Sequence, residues 1–112
     1  MNLQAAEAAL RSHKSDFTEA YIFGSVANES TDEYSDLDLL LVRETKLPFF
    51  DRIREIMELR NSFNKMDLLI YTPEELSTML AEPGRYFIKN IIETGYRIEG
   101  TQDRSQALAE PS

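Results

Sequence analysis

The sequence predicts a mixed α/β domain: one small β-sheet with helices packed against it. Three short apolar runs, at 18–23, 36–42 and 65–71, have the length and aliphatic content of strands. Segments with apolar residues at helical spacing precede, separate and follow them. The length of 112 residues suits one domain with a single core.

The N-terminal segment, residues 2–15, reads as a helix, with Leu3, Ala6, Ala9 and Leu10 on one face. "TEAYIF" at 18–23 reads as a strand that Gly24-Ser25 ends. Residues 26–35 are small and polar, with room for a short helical turn and a loop. "DLDLLLV" at 36–42 is a second strand, in which Leu37, Leu39 and Leu41 share one face and Asp36, Asp38, Leu40 and Val42 the other. After Pro48, residues 49–63 place Phe50, Ile53, Ile56, Met57 and Arg60 at helical spacing. "KMDLLIY" at 65–71 is the third strand. "TPEEL" then opens a helix, with Thr72 as N-cap, Pro73 in the first turn and Glu75 three residues after the cap. "RYFIKNIIETG" makes a further amphipathic helix closed by Gly95, and "YRIEG" adds a short strand. The folded domain is expected to span residues 1–100, with 101–112 a frayed polar tail. Two apolar stripes, Phe49, Phe50, Ile53 and Met57, and Tyr86, Phe87, Ile91 and Ile92, can serve as core or as interface; core is the default expectation.

Composition excludes several chemistries. The absence of cysteine removes disulfides, thiolate metal sites and cysteine nucleophiles, and fits a cytoplasmic setting. The single histidine, His13, sits in a polar stretch as a surface residue, so zinc sites and Ser-His-Asp triads lack material. No apolar stretch approaches the ~18 residues of a membrane span, and the N-terminus does not read as a signal peptide. A net charge of −8, from 12 basic and 20 acidic residues, argues against direct nucleic-acid binding, which rests on Lys and Arg neutralising phosphates. The same charge favours a basic protein partner or divalent cations.

Against that background, Asp36 and Asp38 place two carboxylates on one side of a strand. Held together they repel, and a divalent cation relieves the repulsion; Mg²⁺ typically takes one or two carboxylates plus substrate phosphates. That is the requirement of a two-metal phosphoryl-transfer site. Gly24-Ser25 supplies the complementary half, a sharp turn where a ligand can approach the backbone and where a helical start would offer N–H groups to an anion. Asp67, at the head of the next strand, is a candidate general base or a further metal ligand if the two strands are neighbours. An EF-hand is excluded: counted from Asp32, the third position is Tyr34 and the twelfth is Arg43.

A Gly-Ser pair, ten residues, an Asp-x-Asp in a strand and a later strand bearing an Asp together resemble the nucleotidyltransferase superfamily of DNA polymerase beta. The short chain is most similar to the minimal nucleotidyltransferase (MNT) proteins, over about Tyr21 to Gly100, including "MDLLIYTPEEL" and "FIKNIIETGYRIEG". The resemblance implies that superfamily's fold and a transfer from ATP assisted by Mg²⁺, with two ions expected. On that likeness Gly24 and Ser25 hold the triphosphate, Asp36 and Asp38 hold the metals, and Asp67 is the third acid. One departure is visible: many relatives carry a basic residue soon after Gly-Ser, and here the stretch runs Val26-Ala27-Asn28 without a cation.

MNT proteins of this size resemble antitoxins paired with HEPN-domain RNase toxins, which implies transfer of AMP to a tyrosine of the toxin. Two alternatives stand beside this reading. One is a binding module that neutralises the toxin by occupying it, which the missing cation at Asn28 favours. The other is transfer to a small molecule of the aminoglycoside kind, which needs a dimer or partner to complete the pocket.

Overall fold

The computed structural model describes residues 2–24, 37–63 and 65–102. Among them, α1 (Leu3–Ser12) starts at Asn2, whose side chain accepts from the Ala5 N–H at 2.8 Å. Ala6 and Leu10 are buried, with Leu3 and Ala9 packed beside them, on the face the spacing predicts. The predicted helix is shorter than 2–15, ending at Ser12 and followed by a 3₁₀ turn at Lys14–Asp16. His13 lies in this turn, 3.5 Å from Asp16.

Strands β1 (Glu19–Phe23), β2 (Leu37–Val42), β3 (Met66–Tyr71) and β4 (Tyr96–Glu99) form one mixed sheet in the order β3-β2-β1-β4. β1 runs antiparallel to β2 and β4, while β2 and β3 are parallel. The crossover between the parallel pair carries a 3₁₀ helix (Phe49–Ile56) and the short α2 (Met57–Asn61). α3 (Pro73–Ala81) and α4 (Tyr86–Thr94) follow β3.

Helices cover both faces of the sheet. Ile56 and Leu59 of the crossover and Ala6 and Leu10 of α1 pack against Ile22, Leu37, Leu39 and Leu41. Leu76 and Met79 of α3 and Ile88 and Ile91 of α4 pack on the opposite face against Tyr21, Leu40 and Val42. A strand sandwiched this way must be apolar on both sides, which explains the near-continuous leucine run of β2. Its alternation is as predicted, and Asp38 is the polar break on the α3/α4 face.

The predicted helix over 49–63 is instead a 3₁₀ helix followed by a short α-helix. Three residues per turn align Ile53 and Ile56 toward the sheet and the short α-helix adds Leu59, so the inward stripe differs from the one predicted. Phe50 is 89% exposed and Met57 45%. Arg52 points inward instead. Its guanidinium donates to both carboxylate oxygens of Glu75, at 2.6 and 2.9 Å, and to the carbonyls of Leu47 and Ile70, each at 3.0 Å. Glu75 also completes the predicted capping box: its carboxylate accepts from the Thr72 N–H, and the Thr72 hydroxyl accepts from the Glu75 N–H.

Gly95 caps α4, but in an extended conformation (φ −71°) rather than the left-handed one. Its lack of a side chain serves close approach: a β-carbon there would fall 2.5 Å from the Ile91 carbonyl oxygen and 3.2 Å from that of Ile22. Beyond Gly100, the Thr101 and Gln102 N–H groups donate to the Lys14 and Phe17 carbonyls, and the Gln102 side chain pairs with the Glu44 backbone. Residues 103–112 lie outside the described residues.

Candidate functional site

The sheet register brings two of the singled-out carboxylates together. In the parallel β2–β3 pair Asp38 stands opposite Asp67. Asp38 has the parity of Leu40 and Val42, and Asp67 that of Leu69 and Tyr71, so both lie on the α3/α4 face. Adjacent strands lie ~4.8 Å apart, so the two acids are next-strand neighbours at the head of the parallel pair. Asp38 is half-buried and Asp67 exposed, which puts the pair at the rim of the core, open to solvent.

On the other side of Asp38, β1 contributes Phe23 as its antiparallel partner, and the chain then turns at Gly24. Gly24 has φ +74°, a left-handed conformation that side-chain-bearing residues adopt at a cost. A β-carbon at Gly24 would collide with the Asp38 carboxylate oxygen Oδ2. The glycine therefore does two things: it makes the turn, and it leaves the space that the carboxylate occupies. Gly24→Ala should displace Asp38 and lower stability by about 1–3 kcal/mol, from the left-handed backbone and the collision together, as measured by urea melts.

Ser25 and Asp36, and the polar segment 26–35 expected between them, lie outside the described residues. Of the five singled-out residues, the structure thus places Gly24, Asp38 and Asp67 in one cluster. Among the described residues no three His, Cys, Asp or Glu side chains converge as a ready metal cage. The Asp38–Asp67 pair nevertheless suits Mg²⁺: both are hard oxygen donors on neighbouring strands, and this ion commonly binds through one or two carboxylates with phosphate and water completing its shell.

The residue pattern did not foretell the aromatic flank. Phe23 meets Phe87 of α4 edge-to-face, with ring centroids 5.8 Å apart and planes at 84°. Phe87 is 60% exposed and its neighbour Tyr86 77%, so this end of the predicted stripe is surface, while Ile91 is core.

At the opposite end of the sheet a cleft of about 540 Å³ opens beside Thr45, Lys46, Arg52, Tyr71, Glu75 and Thr78. It sits at the carboxyl ends of β2 and β3, where open α/β sheets usually bind ligands. Its Arg52 and Glu75 are engaged with each other. The paired carboxylates mark the other end, and chemistry decides a site ahead of fold habit.

Comparison with known proteins agrees with this geometry. Residues 8–103 match the family described as "Polymerase beta, Nucleotidyltransferase". Among solved structures, a Sulfolobus solfataricus protein assigned provisionally to the nucleotidyltransferases superposes with a TM-score of 0.51 at 25% identity, covering 68% of this chain and 71% of that one. No curated protein matches at a significant level. The family match spans most of the chain, takes in Gly24, Asp38 and Asp67, and accords with a mixed sheet flanked by helices: the chain belongs to the polymerase beta nucleotidyltransferase family.

Proposed function

We propose that the protein is a Mg²⁺-dependent protein adenylyltransferase that acts as an antitoxin, moving AMP from ATP onto a tyrosine of a HEPN-domain RNase toxin. The observation that carries the transferase half is the Asp38–Asp67 pair standing beside the Gly24 turn on one sheet face. Members of this superfamily generally use a nucleoside triphosphate and a divalent metal. Asp38 and Asp67, with Asp36 two residues before Asp38 in the sequence, are the residues that would hold the metal, two ions in the full site. When bound, Mg²⁺ offsets phosphate charge and orients the triphosphate for in-line displacement.

Asp67 takes the proton of the acceptor hydroxyl. That oxygen bonds the α-phosphorus, the bond from the α-phosphorus to the oxygen bridging to the β-phosphate breaks, and pyrophosphate leaves with the electron pair. Gly24 makes the turn that seats the Asp38 carboxylate at the phosphate end, and Ser25 offers the triphosphate a hydroxyl donor. The exposure of Asp67 leaves room for an acceptor on another molecule.

The antitoxin half rests on the resemblance to MNT proteins and on charge. A net charge of −8 suits a basic, RNA-binding partner in the cytoplasm. Incubation with labelled ATP, Mg²⁺ and the product of the adjacent gene should label that product on tyrosine. A folded complex that takes no label would refute transfer. In that case, protection of cells by an Asp38→Asn variant would establish the binding-only reading, which the neutral Asn28 favours.

A further inference from the structure

Three side chains stand in one row across three adjacent strands: Asp67 of β3, Asp38 of β2 and Phe23 of β1. All three share the α3/α4 face of the sheet, and Phe87 of α4 extends the row through its edge-to-face contact with Phe23. Hard oxygen donors thus give way, along one line, to aromatic rings. A nucleoside triphosphate has the same polarity: anionic phosphates at one end, one sugar, then a flat heteroaromatic base. Two strand spacings, ~10 Å, separate the first acid of the row from the first ring, which is on the scale of a ribose and its linkages.

The exposure of the rings needs a cause. α4 buries Ile88 and Ile91, so its apolar face is already satisfied. Phe87 and Tyr86 nevertheless stay 60% and 77% exposed, side by side at the start of the helix. Consecutive exposed aromatics, one of them in contact with Phe23 beside Asp38, mark a contact surface rather than leftover core. Phe23 braces Phe87 from below, which lowers the entropy that ring would lose on binding a ligand. Stacking also needs no cation, and so can supply nucleotide affinity in a chain whose Gly-Ser turn is followed by neutral Asn28.

We infer that Phe87, braced by Phe23, forms the base-stacking wall of the nucleotide site, with Asp38 and Asp67 at its phosphate end. The inference rests on the nucleotidyl-transfer reading and adds to it where the base lies.

Equilibrium binding of ATP and of inorganic tripolyphosphate, each with Mg²⁺, to the full chain tests it. Phe87→Ala should weaken ATP binding about 5- to 100-fold, the range for losing one base–aromatic stack, and leave tripolyphosphate binding unchanged. Phe87→Tyr should restore ATP binding. Phe87→Leu, which keeps apolar bulk without an aromatic face, repeats the test if Phe87→Ala misfolds, and circular dichroism reports the fold of each. If ATP binds all variants as it binds the wild type, the wall is refuted while nucleotidyl transfer stands, and the aromatic pair becomes a surface for the protein partner. An equal loss of ATP and tripolyphosphate would make Phe87 a support for the phosphate end and refute the wall as well. If wild type binds neither ligand, the nucleotide reading falls and the wall with it.

Discussion

Asp38→Asn should abolish nucleotidyl transfer, by at least ~10³-fold, while leaving the fold intact. The substitution keeps the side chain's size and removes its charge, so the space beside Gly24 stays filled. What is lost is an anionic oxygen donor opposite Asp67. Asp67→Asn should act similarly and also remove the proton acceptor. Like charges on directly opposed strand positions repel, so without metal Asp67→Asn should not destabilise by more than about 1 kcal/mol. The distinguishing measurement is a Mg²⁺ titration of the melting temperature. Ligand that binds only the native state raises it, so wild type should gain and Asp38→Asn should not. Equal gains in both proteins would remove Asp38 from the metal site, whatever the activity data say.

Arg52→Ala should produce a large stability loss, because its guanidinium ties three separate elements together. Only 7% of the Arg52 side chain is exposed, yet it joins the 3₁₀ helix, the end of β3 and the cap of α3. Removing it strands the Ile70 carbonyl and unbraces Glu75. Breaking a buried pair from one side costs about 3–5 kcal/mol, and the 44% exposure of the Glu75 side chain brings the expected loss to ~2–4 kcal/mol. For a domain of this size that lowers the melting temperature by more than about 8 °C. Removal of Glu75 should be harsher on α3, because the same carboxylate holds the Thr72 N–H.

The pair also sets an acid limit. The Arg52 guanidinium, with help from the Thr72 N–H, holds the Glu75 carboxyl at about 2 in the folded state against 4.5 ordinarily. A carboxylate with a depressed folded pKa stabilises fully above its unfolded value. That stabilisation is lost as pH falls from about 4.5 toward 2. Acid unfolding of wild type should therefore steepen across that window, and Glu75→Gln should flatten it. Identical acid-unfolding curves for the two proteins would show that another group sets the limit.

Much of this was legible from short-range pattern alone. The alternation in 37–42 assigned each side chain of β2 to its face, because the pleat has a period of two and both faces are buried. Thr72, Pro73 and Glu75 announced the start of α3, because a capping box is complete within four residues. The Gly-Ser pair, ten residues and Asp-x-Asp resembled the polymerase beta nucleotidyltransferases, and the family match over residues 8–103 agrees. Each of these features is decided by groups close in sequence.

The rest depended on which distant segments meet. Nothing local states that β3 lies beside β2 in the register that sets Asp67 against Asp38; the crossover and the burial of both sheet faces decide it. The segment 49–56 is a 3₁₀ helix that turns Arg52 inward, and the partners of Arg52, Ile70 and Glu75, lie 18 and 23 residues away. Phe87 reads in sequence as one more apolar residue on an amphipathic helix, and only its meeting with Phe23 beside Asp38 makes it part of a site. The sequence by itself determined the strands, the capped helix after Thr72 and the family resemblance, because hydrogen-bond periodicity, caps and side-chain type act over a few residues. Tertiary structure alone decided the neighbours of each carboxylate and the exposure of each ring, because those depend on burying distant apolar faces at the same time.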